Sequence, residues 1–157
     1  MKSRKSQILE LVKICCRALD DKKAGDLRVL EVGELSSITD YLIVATATSD
    51  PHLRAMRVDL ERALKDAGAR VVGVETAHES GWTIVDLFDV MIHLFRADVR
   101  ARYGLENLWK DAVEVSATGE VISKPAPKRT AAKPAKKPAK PAKKVVKAGR
   151  KPRGKSK

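Results

Sequence analysis

Apolar residues recur every three or four positions at Ile8, Leu11, Val12, Cys15, Ala18 and Leu19, the spacing that gathers side chains on one stripe of a helix. Ser6 precedes the stripe as a plausible N-cap, and Gly25 follows its last charged turn. Leu27–Val32 reads as a strand, and Tyr41–Ala45 is an unbroken apolar run of strand length. A run apolar on both parities belongs in the middle of a sheet, because both of its faces must be covered. Ser49-Asp50-Pro51 offers a cap with proline in the first turn, and Leu53, Met56, Leu60, Ala63 and Leu64 continue at helical spacing up to Gly68.

A third strand is predicted over Arg70–Val74, then a loop through His78, then strands over Trp82–Val85 and Val90–Phe95. The segment Asp86-Leu87-Phe88-Asp89 joins the last two. It contains no Gly or Asn for a positive-φ position, so an ordinary type I turn is expected there. Ala97–Tyr103 reads as a short helix, and Val113–Val115 with Glu120–Ile122 as a terminal hairpin around Thr118-Gly119. The order implies an α+β or α/β domain, with a mixed sheet of about five strands flanked by helices.

Charge divides the chain. Residues 1–122 carry 17 Lys/Arg and 20 Asp/Glu, whereas residues 123–157 carry 15 Lys/Arg, no acid and 6 of the 7 prolines. The overall +12 is therefore a property of the second segment, and the first is mildly acidic. A domain over residues 1–122 followed by a disordered Lys/Ala/Pro-rich tail over 123–157 is expected, because the tail cannot bury enough surface to offset the entropy of ordering it. Lys128, Arg129, Lys136, Lys137, Lys143, Lys144, Arg150, Lys151 and Arg153 make the tail a candidate nucleic-acid contact. No run approaches the length of a membrane span, and the N-terminus leads into an amphipathic segment, so a cytoplasmic protein with no membrane association is expected. Cys15 and Cys16 are adjacent and point about 100° apart on a helix, which suits buried, reduced thiols better than a disulfide or a metal pair.

Catalytic chemistry has weak support. Asp86 and Asp89 invite a reading as paired carboxylates with His93 nearby, but Asp89 and His93 are about 13 Å apart along a strand. Turn chemistry for the aspartates and a hydrogen-bonded core histidine are the simpler assignments. Ser36, Ser37, Thr39 and Asp40 read as a loop satisfying its own backbone. Thr48-Ser49-Asp50 precedes a helix but lacks the glycines and lysine of a phosphate loop. His52 is then expected on the helix surface. No metal or cofactor is expected.

Both tryptophans and both phenylalanines lie between Trp82 and Trp109. Trp82 alternates with Ile84 and Asp86, which suits either the core or a partner surface, and Trp109 lies in a cluster with Tyr103, Leu105 and Leu108. Asp40-Tyr41, Thr48-Ser49-Asp50-x-His52, Gly81-Trp82-x-x-x-Asp86-x-x-Asp89-Val90-x-x-His93-x-Phe95 and Arg100-x-x-Tyr103-x-Leu105-Glu106-x-Leu108-Trp109 together resemble the ribosomal silencing factor family, also called Iojap. The resemblance runs from about residue 6 to residue 113. It implies a nucleotidyltransferase-like fold without a catalytic motif, hence no enzyme. It also implies a homodimer when free, and binding to the large-subunit protein uL14 that blocks joining of the small and large ribosomal subunits and so represses translation. Trp82, Asp86, His93, Tyr103, Leu105, Leu108 and Trp109 would lie in or beside the uL14 surface, and the tail would add contact with ribosomal RNA. Two positions depart from the family pattern, Ala47 and Phe88 standing where glycine is usual. Two other functions compete: a nucleotidyltransferase using Asp86 and Asp89 as Mg²⁺ ligands, and a nucleic-acid-binding protein driven by its tail.

Overall fold

The computed structural model describes residues 2–76, 80–117 and 120–123. The predicted loop at His78, the hairpin tip at Thr118-Gly119 and the tail beyond Ser123 lie outside those residues.

Helix α1 (Arg4–Asp21) starts one turn earlier than its apolar stripe suggests. Ser3, in extended conformation, is the N-cap, and its hydroxyl accepts from the Ser6 amide at 3.2 Å. Ser6 is therefore inside the first turn and does not cap it. The solvent-facing Arg4 and Lys5 carry no periodic signal that would have placed this start. Strands β1 (Gly25–Glu31) and β2 (Tyr41–Ala47) pair antiparallel. Helix α2 (Asp50–Asp66) follows the expected Ser49 cap, whose hydroxyl accepts from the His52 amide at 3.2 Å.

Strands β3 (Gly73–Thr76), β4 (Trp82–Asp86) and β5 (Val90–Arg96) form an antiparallel run, and β5 then pairs in parallel with β2. β3 begins three residues later than predicted, because β4 ends at Asp86 and its partner in register is Gly73. Beyond β5 come α3 (Ala97–Tyr103), α4 (Leu105–Leu108) and the hairpin β6 (Val113–Val115) and β7 (Val121–Ser123). The sheet is ordered β3-β4-β5-β2-β1-β6-β7. It is the expected mixed α+β sheet, with seven strands among the described residues in place of about five, because β6 pairs with the open edge of β1 and brings the hairpin into the same sheet.

Alternation along β2 divides its side chains between two cores. Tyr41, Ile43 and Ala45 pack under α1 and α2 with Val85, Ile92 and Leu94, while Leu42 and Val44 join Leu30, Val32, Phe95, Val99 and Ala112 on the opposite face. Two helices cover the first face. The second is covered by the shorter α3–α4 segment, and Trp82, Met91, Leu105 and Trp109, which pack against the core there, are only partly buried. Cys15 and Cys16 are free and buried under the first face, and burial pushes both thiols up to about 12.

The β4–β5 turn overturns the type I expectation. Leu87 and Val90 are both buried and are bonded to each other, the Leu87 amide donating to the Val90 carbonyl at 2.9 Å. Only Phe88 and Asp89 remain to reverse the chain, and a two-residue hairpin loop calls for positive φ. Phe88 accordingly sits at φ 74°. The Asp86 carboxylate accepts from its amide at 2.8 Å, and the Asp89 amide donates to the Leu87 carbonyl at 3.0 Å.

Candidate docking surface

Trp82 begins β4 opposite Phe95 of β5, so the two rings share a face and stack with centroids 4.9 Å apart. Two residues further along β4, and so on the same face, Ile84 pairs with His93. The Trp82 indole N–H donates to His93 Nδ1 at 3.1 Å, which places the proton of the neutral imidazole on Nε2. His93 is only 6% exposed, and burial lowers its pKa to about 4. The imidazole thus supports Trp82 from beneath and is not itself presented to solvent. Tyr103, at the end of α3, lies tilted against the indole with its centroid 5.1 Å away, and more than half of its surface remains exposed.

Gly104 lets the chain continue directly into α4. Its φ of 52° is the left-handed conformation that terminates α3, and a Cβ there would meet Asn107 Nδ2 at 2.7 Å. The position of α4 is then fixed by Arg100, a buried guanidinium whose Nε donates to Glu106 Oε1 at 2.7 Å. Its Nη1 donates to the Asp26 carbonyl at 2.7 Å and to Thr46 Oγ1 at 2.6 Å. One side chain therefore ties α3 to α4, β1 and β2. Leu105 and Trp109 press against the core of this face, while Leu108 points away from it, 76% exposed. A cavity of about 230 Å³ beside Trp109 is lined by Arg28, Leu30, Glu106 and Glu114 among others.

Of the seven residues singled out in the folded domain, Trp82, His93, Tyr103, Leu105 and Trp109 are thus gathered on the thinly covered face, and α4 displays Leu108 beside them. Asp86 stands apart, four residues along β4 from Trp82 or about 13 Å by strand rise. Its carboxylate holds the turn, and Asp89 is ion-paired to Arg4 at 2.7 Å. Among the described residues no group of three or more His, Cys, Asp or Glu is arranged to hold a metal ion, and no helix is long and apolar enough to cross a membrane. The nine Lys and Arg residues singled out in the tail lie outside the described residues.

Sequence reasoning passed over two structural side chains. Arg100 stood only within a motif, and nothing in a one-dimensional pattern shows that it is buried. His52, expected on the surface, braces two helices: Nδ1 accepts from the Thr48 amide at 2.9 Å, and Nε2 donates to the Lys22 carbonyl just past α1 at 2.7 Å. The start of α2 is occupied from within, by the Ser49 cap and by Asp50 in its ion pair with Arg96. The Ser36–Asp40 loop satisfies its own backbone in part, the Ile38 amide donating to Ser36 Oγ at 3.1 Å, while the Asp40 amide donates to the Asp89 carbonyl of the β4–β5 turn at 3.0 Å.

The family model described as "Ribosomal silencing factor during starvation" matches residues 5–147. The chain belongs to the ribosomal silencing factor family. A ribosomal silencing factor from Halalkalibacterium halodurans is 32% identical over 112 residues, covering 71% of this chain and 96% of that protein. A crystal structure of a protein from Chromobacterium violaceum superposes with a TM-score of 0.61 at 38% identity, over 64% of this chain and 83% of that one. A mouse protein named "Mitochondrial assembly of ribosomal large subunit protein 1" is 33% identical over 94 residues, 58% of this chain and 41% of its own length. The aromatic face and the Arg100 clamp are therefore parts of a silencing-factor domain.

Proposed function

We propose that this silencing factor binds uL14 on the large ribosomal subunit through the face carrying Trp82, Tyr103, Leu105, Leu108 and Trp109, and blocks small-subunit joining by occupying the site. The observation that carries the reading is the exposure of Leu108 and Tyr103 beside two half-buried tryptophans on one thinly covered sheet face. Clustered aromatic and aliphatic anchors of this kind supply most of the energy of protein interfaces. The mildly acidic domain suits a basic ribosomal partner, since complementary charge speeds and orients encounter. Membership of a family named for ribosome silencing supports the same direction.

The mechanism is steric, with no bond made or broken. Asp86 and Asp89 serve the turn and an ion pair with Arg4, which supports a non-catalytic role. The free protein is a homodimer in this reading and acts in the cytoplasm, and the basic tail of residues 123–157 adds contact with ribosomal RNA.

The test is sedimentation of purified subunits with wild type and Leu108→Glu. Leu108 is so exposed that the variant should fold normally, yet a carboxylate would meet an apolar contact in the complex. Wild type should travel with the large subunit and prevent joining, and the variant should bind at least tenfold more weakly, about 1.4 kcal/mol. Equal binding by the two would remove this face from the interface, and free joining in the presence of bound wild type would end the occlusion mechanism.

A further inference from the structure

Phe88 combines two features that folding alone disfavours. Its backbone lies in the left-handed region, which side chains other than glycine and asparagine enter only at a cost. Its ring is 65% exposed, so little burial is returned for that strain. Strain of this kind persists where the surrounding structure enforces it and clusters at functional positions. Here the enforcement is visible, in the buried Leu87 and Val90 on either side and in the Asp86 carboxylate holding the Phe88 amide.

The ring is not alone at this end of the sheet. The Asp89 carbonyl accepts from the amides of Asp40 and Tyr41, both at 3.0 Å, and so binds the β4–β5 turn to the end of the β1–β2 loop. That loop exposes Leu35 at 47% and Ile38 at 70%. Three large apolar side chains therefore stand on two loops locked together through backbone hydrogen bonds. Glu34, Asp40, Asp86 and Asp89 belong to the same two segments, with Arg4 facing Asp89 and Asp40 and Lys5 facing Glu34. Met91 lies between this end of the sheet and the docking face: it pairs in register with Asp86 and packs, partly buried, against the same core as Trp109.

We infer that the loop tip formed by Phe88, Ile38 and Leu35 is a second contact of the docking surface, inserting the Phe88 ring into an apolar depression of the same basic ribosomal protein that meets Trp109. The inference rests on the proposed uL14 reading. The surrounding aspartates suit a depression rimmed by Lys or Arg, and continuity with the first face through Met91 favours one partner over two. The strained turn holds the ring outward before contact, so no loop ordering is required on binding.

Phe88→Gly separates this role from a structural one, because glycine accepts the turn's backbone while removing the ring. Full-length wild type, Phe88→Gly and Ile38→Ser are compared for melting temperature and for affinity toward isolated uL14, with Leu108→Glu alongside. Phe88→Gly should melt at or above the wild-type temperature and bind at least tenfold more weakly, and Ile38→Ser should bind severalfold more weakly at unchanged melting temperature. Wild-type affinity in Phe88→Gly, with Leu108→Glu impaired, overturns the second contact and leaves the first standing. No binding by wild type overturns the uL14 reading itself and the second contact with it.

Discussion

Replacing Arg100 with methionine is expected to destabilise the domain by about 3–5 kcal/mol, the usual consequence of removing one partner from a buried charged network. The aliphatic stem would be retained, so the loss reports the guanidinium. Glu106, with only 18% of its side chain exposed, would be left as a carboxylate without the cation 2.7 Å from it. The Asp26 carbonyl and the Thr46 hydroxyl would lose their donor together. Asp26 itself has a φ of 41° within an irregular step of β1, a conformation that Arg100 helps to hold. Urea unfolding measures the loss, and the double variant Arg100→Met with Glu106→Gln should recover part of it, since the stranded charge is gone. If the single variant falls by less than 1 kcal/mol, the clamp does not position α4.

Acid should weaken the fold through His93. An unfolded chain takes up a proton on this residue near pH 6.5, whereas the buried imidazole resists it until about pH 4. Between those values the unfolded state binds more protons, so stability falls as pH falls and levels off below the lower one. The difference corresponds in full to about 3.5 kcal/mol at about 1.4 kcal/mol per pH unit, of which about 3 kcal/mol is expressed by pH 4. Carboxylates also titrate in this range, so the measurement is a comparison of slopes. Stability of wild type minus that of His93→Gln should decline by that amount from pH 7 to pH 4. A pH-independent difference would mean that protonation at this site is tolerated. Because the indole N–H of Trp82 needs an unprotonated Nδ1, tryptophan fluorescence of the folded protein should stay constant down to about pH 5 and shift only around pH 4.

Much of this architecture is written in local pattern. The α2 boundaries follow from Ser49, Pro51 and a regular apolar stripe, and the central place of β2 from a run with no polar face. Residues whose role depends on distant partners were not legible. Arg100 reads as one more surface cation until β1, β2 and α4 converge on it. The β4–β5 turn was misread because its type was inferred from the absence of glycine, whereas the burial of Leu87 and Val90 determines the loop length and the length determines the backbone. For the docking face, alternation placed Trp82 with Ile84 and Asp86 correctly on one side of the strand. It could not show that Asp86 ends some 13 Å from the indole.

The parallel pairing of β2 with β5 joins residues about fifty positions apart, with α2, β3 and β4 intervening. An N-terminal fragment ending before Val90 has α1, β1, β2 and α2, but one edge of its most apolar strand is bare. During synthesis that edge stays open until β5 has left the ribosome, and non-local pairing of this kind is slow to form. A silencing factor built this way passes through a sticky intermediate each time it is made, and nonsense or frameshift products lacking β5 should aggregate and be degraded instead of lingering as partial inhibitors.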